Sequence, residues 1–276
     1  MTENDGESWE SHCTKHKSGS CGFPSLQPVT YRYHRYFHYR LQNTVMTMFK
    51  KTSPLFFLLP IVQVASAQDA CDASMLNTTV RTWPVTSTDT IFSIAASTSR
   101  GVCNIARANR MADANLMVAG ETLLIPGESC AQDIDNTTCL VPNMTYCASC
   151  VPGGLHTYNA RYNDTRASIA LKFQVSLDTI TTMGVNVSAQ SADAVIAADT
   201  QIKIPQCSPS QCTVQPYKFT FGTYVDLANE LNTTVGQIMA FNPTYNYSSK
   251  TDVDDSPIIS LPMNCRNSTG NITVIS

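Results

Sequence analysis

The sequence lacks an apolar run long enough to cross a bilayer. The stretch SPLFFLLPIVQVASA, which follows Lys50 and Lys51, is shorter than the roughly 20 residues a spanning helix needs, so no membrane anchor is expected. Basic charge is also scarce. From Gln68 onward the chain holds 11 Lys+Arg against 17 Asp+Glu, a formal charge of −6. Such an acidic, lysine-poor surface excludes nucleic acid and anionic membranes as partners. Histidine is nearly absent from that segment, which has only His156. There is no G-x-S-x-G and no H-E-x-x-H. No catalytic residue, cofactor or metal site is expected, and the chain reads as a non-enzyme.

What is present begins with an export signal. Met48, the two lysines, the short apolar run and the A-x-A end at Ala65-Ser66-Ala67 read as a signal peptide over 48–67. Residues 1–47 precede it. They include the basic, aromatic stretch YRYHRYFHYR, which taken alone would suit a nucleic-acid-binding arm. Translation from Met48 or Met46 makes 1–47 a non-native extension instead, expected to be disordered.

Nine of the 11 cysteines lie after residue 67, at 71, 103, 130, 139, 147, 150, 207, 212 and 265, and in an exported chain they read as disulfides. Nine N-x-S/T sequons fall in the same segment, at Asn77, Asn136, Asn143, Asn163, Asn186, Asn232, Asn246, Asn267 and Asn271. They mark it as a glycoprotein with a glycosylated tail over 264–276.

A spacing then occurs three times. Trp83, Ile94, Ile105 and Pro126 are matched by Tyr158, Ile169, Ile180 and Pro205, and by Tyr217, Leu227, Ile238 and Pro262. The two helix landmarks are 11 residues apart each time. The pattern predicts an α+β fold of three small β-α-α-β modules over 81–127, 156–206 and 216–263.

In the first, Asp89 is expected to cap a helix from Thr90, with Ile91, Ile94 and Ala95 inward, and Val102, Ile105, Ala106 and Asn109 continuing on a second helix. In the second, Asp164 and Ser176 cap the helices, with Ile169, Ala170, Phe173, Leu177, Ile180 and Met183 inward. In the third, Val225, Ala228 and Leu231 line one helix and Thr234 caps the other, which buries Val235, Ile238 and Met239.

Units of roughly 45 residues need covalent help. If the two strands of a unit pair antiparallel, Cys150 with Cys207 and Cys212 with Cys265 flank strands that meet. Two further bridges fall among Cys71, Cys103, Cys130 and Cys139, with pairing open, and Cys147 is left over.

These residues resemble the LysM module. DTIFSIA (residues 89–95) is similar to the family's first helix start, and CNIARANRMADANLMVAGETLLIP (103–126) to its second helix, loop and closing strand. DTRASIA and QIKIP in the second unit and TYVDLANELNTTVGQIMAFNP in the third carry the same pattern. The cysteine layout resembles that of secreted fungal LysM effectors with three modules. Cys147 is extra, and the third unit lacks the loop aspartate and is one residue short between Tyr217 and Leu227.

The resemblance implies binding of chitin, in a shallow groove between the loop joining strand to first helix and the loop joining second helix to strand. Carried onto this chain, the groove residues are Ser87, Thr88, Asp89, Thr90 and Ile91 opposite Asp113, Asn115, Leu116 and Met117 in the first module. They are Tyr162, Asn163, Asp164 and Thr165 opposite Val195 and Ile196 in the second. In the third they are Gly222, Thr223, Tyr224 and Val225 opposite Thr244, Tyr245 and Asn246.

A secreted effector is implied that sequesters chitin fragments or shields fungal walls and so dampens chitin-triggered immunity. Modules one and three are expected to close on one chitin chain. The 31-residue linker from 127 to 157 permits this, with a reach of about 100 Å when extended. Ligand-induced self-association is also expected. The alternative is a wall-associated LysM lectin, or an accessory module of an enzyme acting on chitin or peptidoglycan. No D-x-x-D-x-D-x-E run of the kind chitinases carry is present, and the lack of a transmembrane segment or clear anchor tail after Cys265 speaks against a receptor ectodomain.

Overall fold

The computed structural model describes residues 71–154, 157–183, 191–245 and 256–275, with no side-chain account of 181–183. The signal-peptide segment and Asn186 and Asn246 lie outside them. Residues 71–276 form one compact unit.

The 11-residue spacing has a structural cause. Each β-α-α-β unit has a first helix of 8 residues, a turn of three, and a second helix of 7. In the first unit β1 (Arg81–Pro84) leads to α1 (Ile91–Thr98), α2 (Val102–Ala108) and β2 (Thr122–Ile125). After a short β3 (Val151–Pro152), the second unit runs β4 (Thr157–Asn159), α3 (Arg166–Phe173), α4 (Leu177–Met183) and β5 (Gln201–Lys203). A strand β6 (Gln206–Ser208) precedes the third, which is β7 (Ser210–Lys218), α5 (Tyr224–Leu231), α6 (Val235–Phe241) and β8 (Ile258–Asn267). The chain closes with β9 (Thr273–Ile275). Each landmark is the fourth residue of its helix, and all six are buried.

Local chemistry sets the helix limits. Thr90, Thr165 and Thr223 are the N-caps, each in a capping box with the residue three ahead. Asp89 and Asp164 therefore do not cap their helices; the threonine after each does. Each first helix ends on a left-handed residue, Ser99, Gln174 or Asn232. Ser176 and Thr234 accept at the starts of α4 and α6. Leu177, expected inward, stays 38 % exposed at the first position of α4.

A buried asparagine clasps the second helix to the returning strand in two units. The Asn109 amide donates to the carbonyls of Ile105 and Leu124 and accepts from the Leu124 N–H. Asn242 does the same with Ile238 and Ser260.

β1 and β2, β4 and β5, and β7 and β8 pair antiparallel. Strands take up most of the 206–216 segment. Its β6 lies between β3 and β9 in a separate three-stranded sheet, and β7 spans most of the rest. Disulfides join Cys71 to Cys130, Cys103 to Cys139, Cys150 to Cys207 and Cys212 to Cys265. Their loops span 36 to 59 residues. On chain-entropy grounds each constrains the unfolded chain by about 4 kcal/mol.

Among the described residues the three units make two cores. The first unit has its own, around Ile94, Ile105, Met111 and Leu123. The second and third share another, which also takes Ala112 and Leu116 from the first unit's second loop.

Candidate functional site

The two loops of each unit lie at the same end, because both connect strand to helix there. In the first unit an aspartate ties strand to loop. Asp89 accepts from the Thr86 N–H at 2.8 Å, the Thr86 hydroxyl at 2.9 Å and the Trp83 indole N–H at 3.3 Å. The Thr86 bonds, chiefly the backbone one, hold its pKa below the ordinary value. The second unit repeats the device. Asp164 accepts from the Arg161 N–H at 2.7 Å and the Tyr158 hydroxyl at 2.6 Å. The aromatic landmark and the aspartate six residues later are thus one feature, a ring donor bonded to a loop carboxylate.

The loop joining β7 to α5 in the third unit, residues 219–223, carries no aspartate. Asp226, in the first turn of α5, accepts instead from the Thr223 N–H and hydroxyl, both at 2.8 Å.

The structure divides the expected site residues by exposure. Ser87, Thr88, Thr90, Asn115, Tyr162, Asn163, Val195 and Thr244 are exposed, and Asp89, Met117, Thr165 and Tyr245 are half-buried. Ile91, Asp113, Leu116, Asp164, Ile196, Gly222, Thr223, Tyr224 and Val225 are buried. The side chains of this last group shape the loops, so a ligand would meet their backbone or their neighbours. Tyr224 stacks with Phe219 and Tyr245 at centroid distances of 5.6 Å.

The second unit's loops are stitched together. Thr165 bridges Val195, and the Ile196 N–H donates to the Asp164 carbonyl at 2.7 Å. Tyr162 at 58 % and Val195 at 60 % exposure stand beside this seam.

The first and third units meet at their loops. Arg107, at the end of α2, donates two bonds to Asp226 at 2.8 and 3.0 Å and one to Asp135 at 2.7 Å. The Gly222 N–H donates to the Arg107 carbonyl, the Arg110 guanidinium to the Thr220 carbonyl, and the Tyr245 hydroxyl to the Arg110 carbonyl. Both described loops of the third unit therefore rest on residues 107–110 of the first.

Sequence reasoning also missed a contact between the first and second units. Lys172, on α3, is 4 % exposed and sits 2.6 Å from Asp164 and 3.3 Å from Asp113 of the first unit. A lysine on a short helix is ordinarily read as solvated. The only available signal was two loop aspartates in a lysine-poor chain.

These ion pairs fix a pH window. Burial raises the Asp135 pKa, but hydrogen bonds from Arg107, Thr138 and Thr137 outweigh it and leave the group well below the carboxylate range. Burial disfavours the Lys172 charge, but Asp113 and Asp164 outweigh it and raise its pKa. Asp135 contributes stability that is complete above its ordinary value of 3.8 and is lost as pH falls through the depressed folded value. Lys172 contributes stability that is complete below 10.5 and is lost as pH rises through the raised folded value. Calorimetric melting temperature is therefore expected to be level from about pH 5 to 9 and to fall on both sides. A steady slope across that interval would contradict this reading.

No group of His, Cys, Asp or Glu side chains suited to a metal occurs among the described residues, and no helix there is long and apolar enough to cross a membrane. What the loops offer is exposed backbone, hydroxyls, amides and scattered apolar side chains, which suits a neutral polar ligand with small apolar faces.

Comparison with known proteins finds a family model and several relatives. The family model described as LysM domain matches residues 85–126. The secreted LysM effector LysM13 of Penicillium expansum is 43 % identical over 210 residues, which is 75 % of this chain and 88 % of that protein. The secreted LysM effector ECP6 of Passalora fulva is 37 % identical over 183 residues, covering 66 % and 77 % respectively. Intracellular hyphae protein 1 of Colletotrichum lindemuthianum is 34 % identical over 105 residues, covering 37 % and 44 %.

Proposed function

Because the chain belongs to the family of secreted LysM effectors, we propose that it is an exported protein that binds chitin oligosaccharides without turning them over. The second and third β-α-α-β units are read as LysM modules beside the first. The observation that carries the reading is the repeated pair of loops at one end of each unit, with Tyr162 and Val195 exposed beside the stitched seam of the second.

An N-acetyl sugar offers amide and hydroxyl groups to exposed backbone and a methyl group to a small apolar patch. Each unmatched polar group costs about 1–3 kcal/mol, which discriminates acetylated from deacetylated sugar. The bonds that Arg107 and Arg110 donate to the third unit, and the one Arg110 accepts from Tyr245, support the reading that modules one and three grip one chitin chain together. Such pairing raises avidity about 10²–10⁴-fold over one groove. A binder of that kind withholds chitin fragments from a host's receptors or coats the fungal wall. Recovery from culture filtrate favours the effector role, and recovery from the wall fraction favours the wall-associated lectin.

Calorimetric titration against chitin hexamer, peptidoglycan fragments and chitosan tests the ligand. Saturable binding of the hexamer is expected, with chitosan at least about tenfold weaker. Equal binding of chitosan, or none of the hexamer, removes the reading.

Module two adds a second expected outcome. Asn163 is exposed beside Tyr162 and heads the sequon Asn163-Asp164-Thr165. A glycan there would cover the seam. Deglycosylation is expected to strengthen binding in wild type, and Tyr162→Ala to reduce that gain. Unchanged affinity after deglycosylation would argue against a contribution from this module.

A further inference from the structure

A cavity of about 380 Å³ opens at the end of the first unit opposite its groove loops. It lies where β1 begins, α1 ends and β2 ends, and is walled by Arg81, Trp83, Arg100, Pro126 and Glu128, with Asn77 on its rim. That volume falls within the range of roughly 300–1,000 Å³ common for small-molecule sites. None of its walls belongs to the loops described above.

The wall chemistry is that of a saccharide seat. An indole offers a flat apolar surface to the C–H face of a pyranose, while guanidinium and carboxylate groups suit hydroxyls and an N-acetyl group. Trp83 is fixed in orientation by its bond to Asp89. Arg100 is fixed by bonds to the carbonyls of Pro126, Thr98 and Ser99.

Asn77 heads the sequon Asn77-Thr78-Thr79 and is held at the mouth by three constraints. The Glu128 N–H donates to its carbonyl at 2.8 Å. A Cβ on Gly127 would lie 3.0 Å from the Thr78 Cα, so the two backbones run in contact. The Cys71–Cys130 disulfide closes the same segment onto the unit. The Asn77 Oδ1 accepts from the Thr79 N–H at 2.9 Å, which orients the amide and leaves Nδ2, the atom that carries an N-linked sugar, outside that bond.

We propose that this cavity seats the chain's own N-linked glycan, with the first N-acetylglucosamine on Asn77 folded against Trp83. The inference rests on the reading of the chain as an exported protein, but not on chitin binding in the grooves. The tether holds the sugar at the mouth, so a contact too weak to capture a free monosaccharide suffices. Asn143, Asn267 and Asn271 are exposed sequon residues that do not line this cavity, and their glycans are expected to be free in solvent.

The test uses the chain translated from Met48 and secreted from a yeast host, in which Trp83 is the only tryptophan. Site-resolved glycopeptide mass spectrometry follows release by an amidase acting on the folded protein. Release from Asn77 is expected to be about tenfold slower than from Asn143, Asn267 and Asn271, as for a sugar seated about nine-tenths of the time. Trimming to a single N-acetylglucosamine is expected to leave Trp83 emission unchanged, whereas Asn77→Gln shifts it. Trp83→Phe is expected to bring the release rate at Asn77 up to that of the other sites.

An unoccupied Asn77, or release at the common rate, overturns the proposal. So does a response of Trp83 in the Asn77→Gln protein to added diacetylchitobiose together with unprotected release at Asn77 in wild type, which would make the cavity a site for free saccharide. Hexamer titration of the same samples keeps failure of the glycan seat distinct from failure of groove binding.

Discussion

Lys172→Met is expected to lower the unfolding free energy by about 3–5 kcal/mol, the usual result of removing one partner from a buried ion cluster. The ammonium is 4 % exposed and faces Asp113 and Asp164, whose side chains are 5 % and 1 % exposed. Methionine keeps the stem's volume but leaves two carboxylates beside each other without their cation. Asp164 retains the Tyr158 hydroxyl and the Arg161 N–H. Asp113 keeps the Asn115 N–H of its own turn.

The larger structural consequence therefore falls on the first unit's second loop. Its Leu116 packs in the core shared by the other two units, and Lys172 is the ion-pair partner that holds it there. Guanidinium unfolding of the single variant, and of the same substitution in an Asp113→Asn background, measures the cluster. The cost of Lys172→Met is expected to be about 1–2 kcal/mol smaller in the second background, because one stranded charge is already gone. A cost below about 1 kcal/mol in wild type would mean that water reaches the cluster and that it does not hold the loop.

The same cluster shows where sequence reading stops. The repeat was legible because helix periodicity is local. An 8-residue helix and a three-residue turn bring a buried residue round after 11 positions whatever the rest of the chain does. Thr234 was legible as a cap for the same reason.

Asp89 and Asp164 were legible as important and misread as to role. An aspartate ahead of a helix suits capping by default, and only three-dimensional contact shows that its partner is the aromatic ring six residues earlier. Asn109 and Asn242 look like polar residues on a helix's last turn. Each becomes a clasp only when a strand returns 15 or 18 residues later with its N–H and C=O facing it.

Burial of Asp113 was hidden for a further reason: the second and third units share one core, and the first unit's second loop enters it. Arg107 and Asp226 are 119 residues apart in sequence, and no local pattern marks them as partners. Residues 71–276 form one compact unit, in which the third unit's loops are bonded to the first. Preformed contact of this kind lowers the ordering cost of binding.

Gly236→Ala tests how far the fusion reaches. Gly236 lies in the first turn of α6, and a Cβ there would come within 2.5 Å of the Phe173 ring, closer than real side-chain contacts allow. Phe173 cannot easily yield. It is 2 % exposed and packs edge-on against Tyr158 at a centroid distance of 5.4 Å. Tyr158 in turn donates to Asp164, which holds both the groove loop of the second unit and Lys172. One methyl group on the third unit therefore presses on the second unit's loop through two rings and a carboxylate.

Overpacking of this sort typically costs about 1–3 kcal/mol, and guanidinium unfolding is expected to show a loss in that range. The informative measurement is the second one. If the stack transmits the strain, deglycosylated Gly236→Ala loses the Tyr162-dependent part of chitin binding while remaining folded by far-ultraviolet circular dichroism. Loss of stability with that part of the binding intact would show that α6 shifts away from Phe173 as a body, and that the second unit's groove is insulated from the packing beneath it.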